Sequence, residues 1–246
     1  MIPSISRSRL RLSRPVKGRT GLVAVVATSA LLAVTAAPAV AAEASVLGWG
    51  LPSKIGLGPE PNTAGFVTPT TLPAAAAATA AAEGVTSSLI VTPGGVLAAG
   101  YGDSLGLGAG VAESAAVPFT PVAGTAGATA VATGGTGNAG VSYPAFSLVL
   151  AADRTVLGFG WDKTGADGQV PGSTRTEVPT PIAGLSDVTA IAAGASDALA
   201  LEGDGTVWNW GEREILGNAG AAAEPGTFTN TPVEVELPPG EKAIAI

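Results

Sequence analysis

The side chains most often recruited for catalysis are missing from this chain. It contains no histidine and no cysteine, which removes imidazole bases, Ser-His-Asp triads, zinc-thiolate sites, thiol nucleophiles and disulfides in one step. Proton transfer would fall to carboxylates, lysine or tyrosine. The carboxylates are scattered, and their densest spot is Glu212-Arg213-Glu214. A carboxylate pair poised for hydrolysis is defined by separation in space, which spacing along the chain does not reveal, so an extracellular hydrolase stands as a minor alternative. No Asp-x-Asp-x-Asp-Gly run that would build a calcium loop occurs. We assign no catalytic residue, no metal ligand and no cofactor. What remains is binding chemistry. Tyr101 and Trp161 follow the glycine of a recurring Val-x-x-x-Gly segment, with Asp103 and Asp162 beside them. A rigid ring next to a hydrogen-bond acceptor is the kind of anchor enriched in interface hot spots. The competing reading packs the same rings between neighbouring repeats.

Positioning those residues is the task of a repeat. Val46-Leu47-Gly48-Trp49-Gly50 recurs as Val96-Leu97-Ala98-Ala99-Gly100, Val156-Leu157-Gly158-Phe159-Gly160 and Val207-Trp208-Asn209-Trp210-Gly211, and the terminal glycines lie 50, 60 and 51 residues apart. Leu51, Tyr101, Trp161 and Glu212 therefore occupy equivalent positions. A Thr/Pro element follows in each unit, as in Val178-Pro179-Thr180-Pro181-Ile182, and reads as an edge strand, where a missing N–H is tolerated. Next comes an apolar run ending in glycine, clearest as Ala190-Ile191-Ala192-Ala193-Gly194, and then a Leu-rich strand such as Ala198-Leu199-Ala200-Leu201. The turns Gly94-Gly95, Asp153-Arg154 and Asp204-Gly205 precede the next Val-x-x-x-Gly strand. Asp-Gly between apolar strands predicts a two-residue type I′ hairpin turn with positive φ at both positions. The Ala74–Ala82 run has helical propensity but occupies a strand slot, so context predicts strand. The Gly-rich insertion around Gly135–Pro144 accounts for the 60-residue interval. Trp49, Trp208 and Trp210 lie inside the repeated strand and are expected in the core.

Taken as a set, these motifs resemble the repeat of the regulator of chromosome condensation (RCC1) family, across nearly all of residues 46–246. The resemblance implies an all-β fold, a β-propeller whose blades are four-stranded antiparallel sheets, usually seven to a ring. Two departures are plain: the histidine the family often carries before the Leu-rich strand is absent, and the Gly-Gln-Leu-Gly element is eroded in every copy. Repeats start near 46, 96, 156 and 207, giving three whole repeats and a fourth that stops within its pattern. Seven blades of this length would need roughly 350 residues, so the expectation is an incomplete propeller whose open ends favour self-association.

The first 41 residues read differently. Arg7, Arg9, Arg11, Arg14, Lys17 and Arg19 precede an apolar run from Leu22 to Val34 that leads to Ala39-Val40-Ala41. That order of basic, apolar and small residues is a secretory signal, too short to span a bilayer, with cleavage expected after Ala41 or Ala44. Residues 42–246 would then be the propeller, secreted or at the cell surface and not inserted in a membrane. Without the leader, six basic residues face nineteen acidic ones, a net charge of −13. Such a surface repels phosphate backbones and excludes nucleic acid as the expected partner. The reading is an exported, non-catalytic protein-binding module. An architectural remnant and an exchange-factor-like protein are the alternatives.

Overall fold

A computed structural model describes residues 23–26, 31–35, 45–50, 66–72, 77–101, 105, 116–135, 145–172, 175–212 and 227–246. They form sixteen strands and, among the described residues, no helix. Blade 1 comprises β1 (Val23–Val26), β2 (Leu31–Thr35), β3 (Ser45–Gly50) and β4 (Phe66–Leu72); blade 2 comprises β5 (Ala80–Glu83), β6 (Ser87–Thr92), β7 (Gly95–Tyr101) and β8 (Ala116–Pro121). Blade 3 is built from β9 (Ala130–Gly135), β10 (Ala145–Leu150), β11 (Val156–Trp161) and β12 (Thr176–Pro181), and blade 4 from β13 (Val188–Ala193), β14 (Asp197–Glu202), β15 (Val207–Glu212) and β16 (Phe228–Glu234). Each sheet joins its strands in chain order, all antiparallel. The expected four-stranded propeller blade is the repeating unit. The sequence repeat begins at the third strand, half a blade late. Its incomplete last copy therefore supplies β15 and β16, which complete blade 4.

The glycine that ends every Val-x-x-x-Gly strand has a geometric cause. Where the third strand meets the outer one, the register shifts between Gly48 and Gly50, Ala98 and Gly100, Gly158 and Gly160, and Asn209 and Gly211. The bulge places Gly100, Gly160 and Gly211 at φ of 123°, 119° and 113°. A Cβ at Gly100 would lie 2.1 Å from the Thr86 carbonyl oxygen, and one at Gly211 would lie 2.3 Å from that of Ser196. No other residue fits both constraints.

The Thr/Pro elements are the outer edge strands β4, β8, β12 and β16, as their missing N–H groups require. The alanine run is strand over Ala80–Glu83, where pairing with β6 overrides helical propensity. The insertion lies outside the described residues beyond Gly135. The turns differ from expectation. Arg154 N donates to Ala151 O (3.0 Å) and Ala151 N to Thr155 O (2.9 Å), and blade 4 repeats this with Gly205, Glu202 and Thr206. Only the last loop residue has positive φ, 67° at Arg154 and 88° at Gly205. These are three-residue loops that end in a left-handed residue, not type I′ turns. The threonine decides it. Asp153 Oδ1 accepts from Thr155 N (3.1 Å) and Oγ1 (2.6 Å), and Asp204 Oδ1 accepts from Thr206 N (2.8 Å), closing a turn that local side-chain bonding favours.

The core lies between blades. Blade 2 meets blade 3 through Leu89, Val91 and Val96 against Val149 and Phe159. Blade 3 meets blade 4 through Phe146, Leu148 and Ile182 against Ala198, Ala200 and Trp210. Val46 and Leu72 of blade 1 cover Ile90 and Leu97 of blade 2. Trp210 is fully buried, as expected, while Trp208 is half-buried against the same cluster. The side chain of Trp49 lies outside the described residues. β1 and β2 come from within the segment that reads as a leader. A leader's apolar stretch and a blade's inner hairpin both need consecutive aliphatic residues, and Val23–Thr35 satisfies both requirements.

Candidate functional site

The loop that leaves β11 is described from Trp161 to Gly172. Its first residue, Trp161, ends the strand half-exposed, and the Lys163 ammonium sits 5.3 Å from the ring centroid, within cation–π range. Asp162 points the other way. It is 5% exposed and accepts from Thr164 N (3.1 Å), Thr164 Oγ1 (2.9 Å) and Ala166 N (2.5 Å). The carboxylate thus ties the first turn of the loop instead of meeting solvent. Asp167 is 1% exposed and accepts from Gln169 N (3.0 Å) and Thr176 Oγ1 (2.7 Å). Burial pushes its pKa up, the hydrogen bonds from Thr176 and Gln169 pull it down, and the Asp162 charge adds to the rise.

Blade 4 clamps the loop from the side. The Trp210 indole N–H donates to Ala166 O (2.9 Å), and Asn230 Nδ2 donates to Gly168 O (3.4 Å). Gly172 N closes the loop on Lys163 O (3.1 Å). What it presents outward is Trp161, the exposed Lys163 and Val170, which is 68% exposed. A fixed loop holding an aromatic face, an ammonium and an aliphatic group is suited to recognition, because little conformational entropy is lost on binding. Both aspartates are buried, and their carboxylates accept from the loop's own donors and from Thr176. Among the described residues no group of three acidic, histidine or cysteine side chains could hold a metal ion.

The residues singled out by sequence separate in the structure. Trp161 lies on the presented surface and Asp162 holds it up from beneath. Tyr101 ends β7 at the equivalent position, paired with Ala116, and its side chain lies outside the described residues. Asp103 does so as well. Sequence reasoning missed Lys163 and Val170. The lysine two residues beyond a loop tryptophan was the available signal; Val170 carried none, since an exposed valine looks in sequence like a core valine.

Four antiparallel four-stranded sheets packed face to face in series define a β-propeller. Within that class the fold is that of the RCC1-type propellers. Prp20p from Saccharomyces cerevisiae, in a structure reporting its binding properties to Gsp1p and histones, is similar with a TM-score of 0.65 and 16% identity over 91% of this chain and 52% of its own. Yeast RCC1 (Prp20) bound by Kap60 is similar at a TM-score of 0.60 and 19% identity, covering 88% of this chain and 50% of that one. Human WBSCR16 is similar at 0.61 and 21%, covering 84% and 49%. The chain thus spans about half the length of these structures. No protein-family model and no curated protein matches it.

Proposed function

We propose that this chain is an exported, non-catalytic protein-binding propeller that engages its partner through the loops following the third strand of each blade. The observation that carries the reading is the β11 loop. Its interior is fixed by Asp162, Asp167 and Trp210, while Trp161, Lys163 and Val170 are left for contact. Two of the similar structures concern proteins that bind other proteins, Kap60 in one case and Gsp1p and histones in the other. A leader-like start directs the reading to partners outside the cell. The expected ligand is a protein outside the cell. Capture from culture medium by the intact chain should fall at least tenfold with Trp161→Ala while the thermal melt is unchanged. Undiminished capture would remove the loop from the account.

Export has its own test. Cleavage after Ala41 or Ala44 gives a mature chain that begins at residue 42 or 45 and lacks β1 and β2, leaving blade 1 as the β3–β4 pair. N-terminal sequencing of the protein recovered outside the cell should read Ala42 or Ser45. Recovery of the chain only inside the cell, with its first residues intact, would refute export.

A further inference from the structure

The β11 loop has two sides. Phe159 packs with Leu89 and Val96 of blade 2, and Trp161, two residues further along β11, projects to the same side by strand alternation. Trp161, with the Lys163 ammonium over its ring, is therefore turned toward blade 2. The other side of the loop meets blade 4. Ala166 O accepts from Trp210, and Gly168 O accepts from Asn230. A Cβ at Gly165 would lie 3.0 Å from Pro171 Cγ in the loop and 3.0 Å from Asn230 N in β16, so glycine at 165 is what lets the two blades close into a seam.

What surfaces along this seam is apolar and acidic. Phe228 stands two residues before Asn230 on β16 and is 37% exposed. Glu212 is its register partner on β15, so the half-buried carboxylate and the ring share one face. That is the face Trp210, two residues before Glu212, turns to blade 3. On the loop side Pro171 is half-buried, and Val170 beside it is 68% exposed. Two more carboxylates lie underneath. Asp167 sits between the two residues that blade 4 grips, and it and Asp162 accept from N–H and O–H donors. The charged group acting on Asp167 is Asp162, itself an anion. Neutral donors do not cancel those charges, and a buried anion is screened less than one in water.

A ring face beside a carboxylate attracts a cation twice, through the quadrupole of the ring and through the charge. We propose that the seam between blades 3 and 4 docks a protein segment in which an arginine or lysine stands next to an aliphatic residue. The cation lies against Phe228 and Glu212, and the aliphatic side chain covers Pro171 and Val170. Charge complementarity selects this occupant. Beyond residue 41 the chain carries nineteen acidic and six basic residues, so a basic segment is drawn in and an acidic one repelled before contact. The seam shares Val170 with the loop surface read above, while Trp161 and Lys163 lie across the loop from it.

Random decapeptides displayed on phage and selected on the intact chain test this. The binders should carry arginine or lysine within two residues of an aliphatic residue. A synthetic copy of the leading sequence should bind Phe228→Ser and Glu212→Lys at least tenfold more weakly, with thermal melts unchanged. Arg154→Ala, in the turn at the other end of β11, should bind it as the wild type does. Replacing the basic residue of the peptide with glutamate should restore binding to Glu212→Lys, a gain that a misfolded variant does not give. Selection that yields no binders or binders without a basic residue, or a Glu212→Lys variant that keeps its preference for the basic peptide, would overturn the proposal. Capture from culture medium by Trp161→Ala reports on the loop surface alone, so either reading can fail while the other stands.

Discussion

β10 of blade 3 and β14 of blade 4 occupy the same place in successive sheets, yet all six residues of β10 are buried whereas β14 keeps three of six partly open. The strands are similar in length and pairing. The difference is their neighbours: among the described residues, β10 has a blade on each side, and β14 has one on the side of Ala198 and Ala200. In this architecture a strand's burial is a property of the adjacent blades as much as of its own sequence, as expected where each repeat contacts only the next.

The comparison is sharpest where a large side chain fills a junction. Phe146→Ala, at a fully buried position against the Gly134 backbone, should destabilise the fold by about 3–5 kcal/mol in urea unfolding. A smaller loss would mean that the junction between blades 3 and 4 is looser than its packing implies. Leu148→Ala and Leu199→Ala then form a matched pair at one repeat position. The first should cost ~2–5 kcal/mol and the second roughly 1 kcal/mol or less in dilute monomer. Equal costs would show that the blade 4 flank is covered after all.

Backbone constraint should be indifferent to which blade carries it. Gly160→Ala, with φ of 119° and a Cβ only 2.6 Å from the Ala145 carbonyl oxygen, should cost about 1–3 kcal/mol. Gly124→Ala, where a Cβ meets open space, pays only the strain of its positive φ and should cost less. At the surface, the ion pair between Arg154 and Asp187 joins two half-exposed side chains, and Arg154→Ala should change stability by no more than about 1 kcal/mol.

The smallest effect concerns pH. Asp167, whose folded pKa is raised by burial, favours the folded state when protonated. Its contribution is therefore most favourable below the unfolded pKa and is lost as pH rises through the folded value. Asp153 and Asp204 behave oppositely. Hydrogen bonds from Thr155 and Thr206 hold their pKa values down, so their contributions are lost as pH falls through the folded values. Urea midpoints followed from neutral into the acid range should show the wild type gaining on Asp167→Asn. A constant difference between the two would refute the assignment.

Much of this was legible in the sequence because the repeat writes its constraints in residue types that have few substitutes. The glycine after Val-x-x-x marks a bulge only glycine fits, the prolines mark edge strands, and the Leu-rich runs mark strands buried on both faces. Turn type was misread at Asp153 and Asp204, because the threonine that fixes it lies beyond the dipeptide carrying the usual signal. The site was legible only in part. Trp161 was found from its equivalence to Tyr101, but whether Asp162 faces a partner or the loop interior depends on Thr164 and Ala166 folding back over it.

Local chemistry in the sequence marked the strands, the bulge glycines and the absence of histidine and thiol chemistry, since those follow from backbone sterics and side-chain inventory, while the four-stranded blade was what the resemblance to the RCC1 repeat implied. Tertiary packing decided where blades begin and which leucines are covered. It also fixed the β11 loop through Trp210, 44 residues away. Burial and hydrogen bonding between blades are sums over residues distant in the chain, and no spacing of residues along one strand contains them.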